Sequence, residues 1–268
     1  MRLLIIVLIL SAAAQADDDT MIRALLQRMQ DAEPSVMKKL ESFGYREHVQ
    51  EERSGKPRTE EMFEVTYLKD RRIRRLIEKD GKPLSGAALE KENKRVEKLV
   101  TQLENGNAPP LGNRRLRLVD LGRVCQFSHV QRGKLQGREV VQCDFGPRPG
   151  FKPANTRERF VHGVDGKLWL DERALQIARA EFVLREAFKI GGGLFFNMKP
   201  GTRFTDEEML YQGEVWLPKS REFVLSGKAL IGVKVELRSI VAYSDYHRFD
   251  VSGSSRESWP QMNTDEHR

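Results

Sequence analysis

Ile177-Ala178-Arg179-Ala180-Glu181-Phe182-Val183-Leu184-Arg185-Glu186-Ala187-Phe188-Lys189-Ile190 repeats with a period of two. Ala178, Ala180, Phe182, Leu184, Phe188 and Ile190 fall on one side, and Arg179, Glu181, Arg185 and Lys189 on the other. Successive strand side chains point to opposite faces, so this stretch predicts a long strand that is dry on one side and wet on the other. Arg221 to Leu230 and Val233 to Tyr243 follow the same rule. The first puts Phe223, Leu225 and Ala229 on one face, with Ile231 beyond its end, and the second does so with Val233, Val235, Leu237, Val241 and Tyr243. Shorter strands are expected at Lys167 to Asp171, Leu194 to Met198 and Glu214 to Leu217. A sheet with one dry face is characteristically antiparallel.

Nearer the N-terminus, strands are expected at Tyr45 to Arg53, Glu60 to Lys69 and Ile73 to Lys79, with turns at Ser54-Gly55-Lys56-Pro57 and Asp80-Gly81. Two helices stand out. One starts at Thr20 and carries Ile22, Leu25, Leu26 and Met29 at helical spacing, with Pro34 restarting it before Val36, Met37 and Leu40. The other, opened by Ser85, carries Val96, Leu99, Val100 and Leu103 on one stripe and Glu and Lys on the rest. Gly146-Pro147-Arg148-Pro149-Gly150 reads as a loop, because proline cannot donate to a ladder. The fold class is therefore mainly β, of α+β type, with two or three helices covering part of the apolar face.

Residues 1–16 predict export. Arg2 precedes the apolar run Leu3 to Leu10, and Ala14 and Ala16 give an A-x-A cleavage pattern before Asp17-Asp18-Asp19. The run is too short for a spanning helix, and no cysteine near the cut is available for lipid attachment. The expected organisation is a signal peptide over 1–16, one domain over 17–251 and a polar tail over 252–268, in a periplasmic monomer. Export also changes the reading of the two cysteines, since an oxidising compartment favours a structural bond. A hairpin centred on Lys134 sets Cys125 opposite Cys143 and Phe127 opposite Val141, which predicts a Cys125–Cys143 disulfide; two buried free thiols are the alternative.

The remaining composition excludes more than it selects. Among 268 residues there are 46 basic and 39 acidic ones and 39% are hydrophobic, which argues for a core and against general disorder. His48, His129, His162, His247 and His267 sit at no metal-binding spacing. No G-x-S-x-G occurs, and Gly191-Gly192-Gly193 joins two β segments rather than opening a helix. No enzymatic site, cofactor or metal is therefore expected. Arg71-Arg72-Ile73-Arg74-Arg75 and Arg114-Arg115-Leu116-Arg117 would suit nucleic acid, but export points instead to solvated strand faces or transient contact with an anionic membrane surface.

Gly166-Lys167-Leu168-Trp169-Leu170-Asp171, the strand with Arg179 and Glu181, Gly213-Glu214-Val215-Trp216-Leu217-Pro218, and Asp80-Gly81-Lys82-Pro83-Leu84 with its following helix together resemble the exported LolA/LolB lipoprotein carriers. The resemblance implies a curved antiparallel sheet forming an incomplete β barrel, with helices in its mouth and an apolar cavity that carries lipid or lipoprotein acyl chains. It does not supply binding residues by motif. Alternation nominates Phe182, Leu184, Phe188, Phe223, Leu225, Val235 and Leu237, partly covered by the helix bearing Val96, Leu99 and Leu103. A sensor or interaction module on the same scaffold, its sheet filled by its own helices, is the other reading.

Overall fold

A computed structural model describes residues 2–68, 71–107, 118–190, 196–229 and 233–248. The chain forms two compact units, one of Met1–Val36, Val49–Thr59 and Leu111–Ala242, the other of Met37–His48, Glu60–Pro110 and Tyr243–Arg268. The elements are α1 (Arg2–Leu40), β1 (Phe43–Arg53), β2 (Thr59–Leu68), β3 (Arg71–Lys79), β4 (Lys82–Pro83), α2 (Gly86–Glu104) and α3 (Leu118–Val124). There follow β5 (Cys125–Leu135), β6 (Arg138–Pro147), α4 (Thr156–His162), β7 (Val164–Asp171), β8 (Gln176–Leu184), β9 (Phe188–Ile190), β10 (Phe196–Met198), β11 (Arg203–Tyr211), β12 (Val215–Ala229) and β13 (Lys234–Arg248).

In the first unit the strands pair in the order β13-β12-β11-β8-β7-β6-β5, with β10 and β9 branching from β12. Every one of these pairings is antiparallel. The row does not return to its first strand, so the sheet is open, and helices pack on its dry face. This is the mainly β, one-faced architecture expected. Ile22, Leu25, Leu26 and Met29 of α1 are all at most 3% exposed and share a core with Leu121, Phe127, Val141, Val161, Leu168 and Leu184. That stripe is the 3.6-residue pattern seen in the sequence, now facing a strand pattern of period two.

In the second unit the order is β4-β3-β2-β1. Helix α2 lays Val96 and Leu103 on Ile73, with Leu68, Leu99 and Val100 around them. Tyr45 is surrounded by Tyr67, Tyr243 and Tyr246, at centroid distances of 6.5, 5.7 and 5.3 Å.

Several expectations are corrected. Helix α1 is continuous through Pro34 rather than restarting there. The expected strand 177–190 is two strands: Arg185 N–H still donates to Gly163 O at 2.9 Å, in register with the Val164–Leu184 pair, but β8 ends at Leu184 and β9 begins only at Phe188. The expected 214–217 and 221–230 strands are one, β12, with Pro218 opposite a register shift between Glu207 and Glu208, where a missing donor is tolerated. The Gly191–Gly193 run, Arg114–Arg117 and the 252–268 tail lie outside the described residues.

The cysteine hairpin is also out of the expected register. The turn falls at Gln136-Gly137, with φ positive at both, so Leu135 pairs with Arg138. A shift between Ser128 and Gln131 then sets Cys125 opposite Pro147 and Phe127 opposite Phe145, while Cys143 pairs with Leu168 on β7. His129, at φ 53°, takes up the extra length. The predicted disulfide is not formed. Both cysteines are free and fully buried, and burial pushes both thiols up to about 12. Native protein at about pH 8 is therefore expected to resist iodoacetamide, since the thiolate is the nucleophile, and to take two labels once unfolded without reductant. Absence of labelling in the unfolded chain would show a disulfide after all.

Candidate functional site

The two tryptophan motifs meet. Asp171 is completely buried; its Oδ2 accepts a hydrogen bond from Trp216 Nε1 at 2.9 Å, and its Oδ1 accepts from the N–H groups of Arg173 and Ala174. Arg138 Nε lies 3.2 Å from the same carboxylate, giving the buried charge a counter-charge. Gln176 then pairs its amide with both backbone groups of Trp216, at 3.0 and 3.1 Å. Trp216 anchors a small cluster with Val140 and Ala178. These residues hold the first unit's strands in register and are not aimed at a ligand.

The dry face beside this anchor is where the nominated residues lie. Phe182, Leu184, Phe188, Phe223, Leu225 and Leu237 belong to one apolar cluster. Leu184 is 2% exposed and Leu225 9%, whereas Phe182, Phe188, Phe223 and Leu237 are only half-buried. Val235 is half-buried and pairs with Gly227, one step along the strand from the Leu225–Leu237 pair. Val96, Leu99 and Leu103 pack with Ile73 and Leu68 inside the second unit. The helix that shares the Leu184 cluster is α1.

A residue missed from sequence completes the face. Phe204 stands opposite Phe182 on β8 and opposite Phe223 on β12, so three phenylalanines form a row across three strands. The Phe182 and Phe204 rings stack with centroids 5.0 Å apart, and Phe145 meets Phe182 edge-on at 6.1 Å. Gly166 makes this closure possible. A Cβ there would sit 2.6 Å from the Phe145 ring and 2.1 Å from Glu181 O. Gly227 has the same relation to Phe196, whose ring would lie 2.6 Å from an added Cβ.

The opposite face is polar. An open groove of about 700 Å³ runs over two of its cross-strand rows, Asp144–Lys167–Glu181–Thr205 and Asp165–Val183–Arg203, and Phe145, Phe182 and Phe204 also contribute to its lining. Its charges are largely paired: Lys167 lies 3.5 Å from Asp144, Arg185 3.6 Å from Asp165, and His129 Nδ1 3.1 Å from Asp144. No group of three or more metal-capable side chains occurs among the described residues. On β3, Arg72 and Arg74 share the buried Glu47, and Arg75 holds Glu64 at 2.7 Å, so much of that basic cluster is neutralised within the second unit.

No protein-family model matches the chain, and no curated protein matches its sequence. Solved structures match it loosely in fold. They include a domain of Vibrio parahaemolyticus assigned to outer-membrane lipoprotein sorting, at 11% identity and TM-score 0.36, covering 86% of this chain and 94% of that one. A DUF1329 family protein of Desulfovibrio piger matches at 13% identity and TM-score 0.37, over 88% of this chain and 95% of that one. A LolA superfamily protein of Nitrosomonas europaea matches at 9% identity and TM-score 0.36, over 84% and 94%. The last of these carries the name of the group that the sequence motifs resemble. At such identities the likeness concerns the fold, and it transfers no ligand.

One acid in the first unit is out of its ordinary state. Burial, with the neighbouring Asp206 adding to it, pushes the Glu208 carboxyl up to about 8 from 4.5, against the pull of Arg221, and its Oε2 has no hydrogen-bond partner. The folded state thus keeps a proton there that the unfolded chain gives up. Its stabilisation is complete below about pH 4.5 and is lost as pH rises toward 8. Denaturant titrations should show stability falling over that window, and Glu208→Gln should flatten the fall, gaining on the order of a few kcal/mol at the alkaline end.

Proposed function

We propose that this chain is an exported, non-enzymatic carrier or chaperone that shelters an acyl chain, free or on a lipidated protein, against the aromatic face of the first unit. The observation that carries the reading is the half-burial of the Phe182–Phe204–Phe223 row together with Phe188 and Leu237. Helix α1 takes the Leu168 and Leu184 part of the dry face, and these aromatic side chains keep apolar surface that an alkyl chain would cover. The signal-peptide pattern over 1–16 supports a periplasmic location, and the resemblance of the glycine–tryptophan motifs to the LolA/LolB carriers supports acyl chains as cargo. Transient contact with an anionic membrane surface belongs to the same proposal, with the charge of β3 reduced by Glu47 and Glu64.

A second reading has its own support. The four buried α1 side chains already fill much of the dry face, and the open groove of about 700 Å³ is lined by Asp144, Asp165, Lys167, Glu181 and Arg203 as well as by Phe182 and Phe204. Both fit a periplasmic sensor or interaction module on the same scaffold.

Binding of a fluorescent fatty acid separates the two. Losing the burial of one phenylalanine costs roughly 1.5–3 kcal/mol, or about a 10- to 100-fold loss of affinity. Phe223→Asp should reach at least that, since it adds an unpaired carboxylate to an apolar site. Val183→Asp, at a side chain 41% exposed on the opposite face, should change little. No uptake by the wild type, or equal loss in both folded variants, would contradict the carrier and favour the module.

A further inference from the structure

Two strands have one side wholly or mostly without a ladder partner among the described residues. In the first unit β5 ends the strand order, with β6 its sole ladder neighbour among the described residues. In the second, β3 pairs with the two-residue β4 only at Glu78 and Lys79. Exposed strand edges of this kind offer unpaired N–H and C=O groups to any other strand.

Both are met by the same side-chain device. Arg148 N–H donates to Val124 O, which turns the backbone groups of the even-numbered residues of β5 toward β6 and leaves the N–H and C=O groups of Cys125 and Phe127 facing away from it. Asp19 on α1 accepts from Phe127 N–H at 2.9 Å, and Arg23, one turn on, donates to Cys125 O at 2.5 Å. Asp18 accepts from Val130 N–H at 3.2 Å, inside the register shift. On β3, Glu92 of α2 accepts from Leu76 N–H at 2.8 Å, and Arg95 donates to Arg74 O at 2.5 Å. In each case a carboxylate takes the N–H of one residue, and its arginine takes the carbonyl two residues before it. Each acid and arginine are also bonded to each other, at 2.6 and 2.7 Å. Burial pushes both carboxyls up, but the arginine and the strand N–H outweigh it, so Asp19 and Glu92 are both held below the ordinary carboxylate range.

We propose that these helix-borne acid–arginine pairs stand in for a missing strand, and that the pair on β5 keeps a second copy of this chain from adding its own β5 there. The occupant follows from chemistry and charge. What the clamp satisfies, an N–H and a carbonyl two residues apart, is what another strand edge would supply. Cys125 to Gln131 carries no Lys, Arg, Asp or Glu, so two copies of β5 meet without repulsion, whereas β3 presents Arg71, Arg72, Arg74 and Arg75.

Sedimentation velocity on the mature chain tests this. The wild type and Glu92→Ala/Arg95→Ala should sediment as monomers, and Asp18→Ala/Asp19→Ala as a dimer. Adding Gln131→Lys to that dimeric variant should return it to the monomer by placing like charges on the edge. A clampless variant that stays monomeric, or a dimer that Gln131→Lys leaves intact, would overturn the proposal. Hydrogen exchange on the unaltered chain tests the clamp without relying on a variant's folding. The Phe127 and Val130 amides should be protected like ladder amides, and exchange at the rate of open strand-edge amides would equally overturn it.

Discussion

The structure depends on one constraint, that a long antiparallel sheet with a dry face must have that face covered. In the first unit α1 supplies Ile22, Leu25, Leu26 and Met29 as a single stripe, narrow because a helix turns every 3.6 residues. A stripe of that width buries Leu168, Leu184 and Phe127 fully and leaves the aromatic row across β8, β11 and β12 half-covered. The proposed function lives in that mismatch between the width of the helix and the width of the sheet.

The polar groups that remain are handled locally. Asp171 gathers Trp216, Arg138 and two backbone N–H groups into one buried knot, so that a charge with no exposure still has its partners. Asn155 and Glu158 cap α4 reciprocally: Asn155 Oδ1 accepts from Glu158 N–H at 3.0 Å, and Glu158 Oε2 accepts from Ala154 N–H at 2.7 Å. Arg123 of α3 then binds Glu158, and Arg157 lies 3.4 Å from the buried Asp120, which ties the two short helices together. Phe160 of α4 meets Phe188 edge-on at 5.2 Å, so this polar scaffold also positions part of the aromatic face.

Much of this was legible where one physical signal dominates. The alternation of Ala180, Phe182 and Leu184 survives as membership of one apolar cluster, though Ala178 joins Val140 and Trp216 in another, and the stripes of α1 and α2 survive as two separate cores. What failed was register. The turn sits at Gln136-Gly137 instead of at Lys134, which alone would move the residue opposite Cys125 from Cys143 to Arg148, and the one-residue bulge at His129, which no sequence feature marks as left-handed, brings it back by one to Pro147. Strand β11 was hidden by Asp206-Glu207-Glu208, acids that look like a loop until their cross-strand partners Arg221 and Lys219 are known. With that strand went Phe204, the middle of the aromatic row. Helix α4 had a readable signal in Asn155-Thr156-Arg157-Glu158, a capping box whose meaning depends on the helix it opens. Asp17-Asp18-Asp19 looked like a merely polar start, and two of the three turned out to hold an open strand.

Native mass spectrometry of the protein recovered from the periplasm of its own cells tests the central claim most directly. The account predicts a population heavier than the mature chain by the mass of one lipid or acyl chain, with that adduct lost in Phe223→Asp and kept in Val183→Asp. A wild-type spectrum containing the bare chain alone, from cells whose lipids are intact, would contradict it.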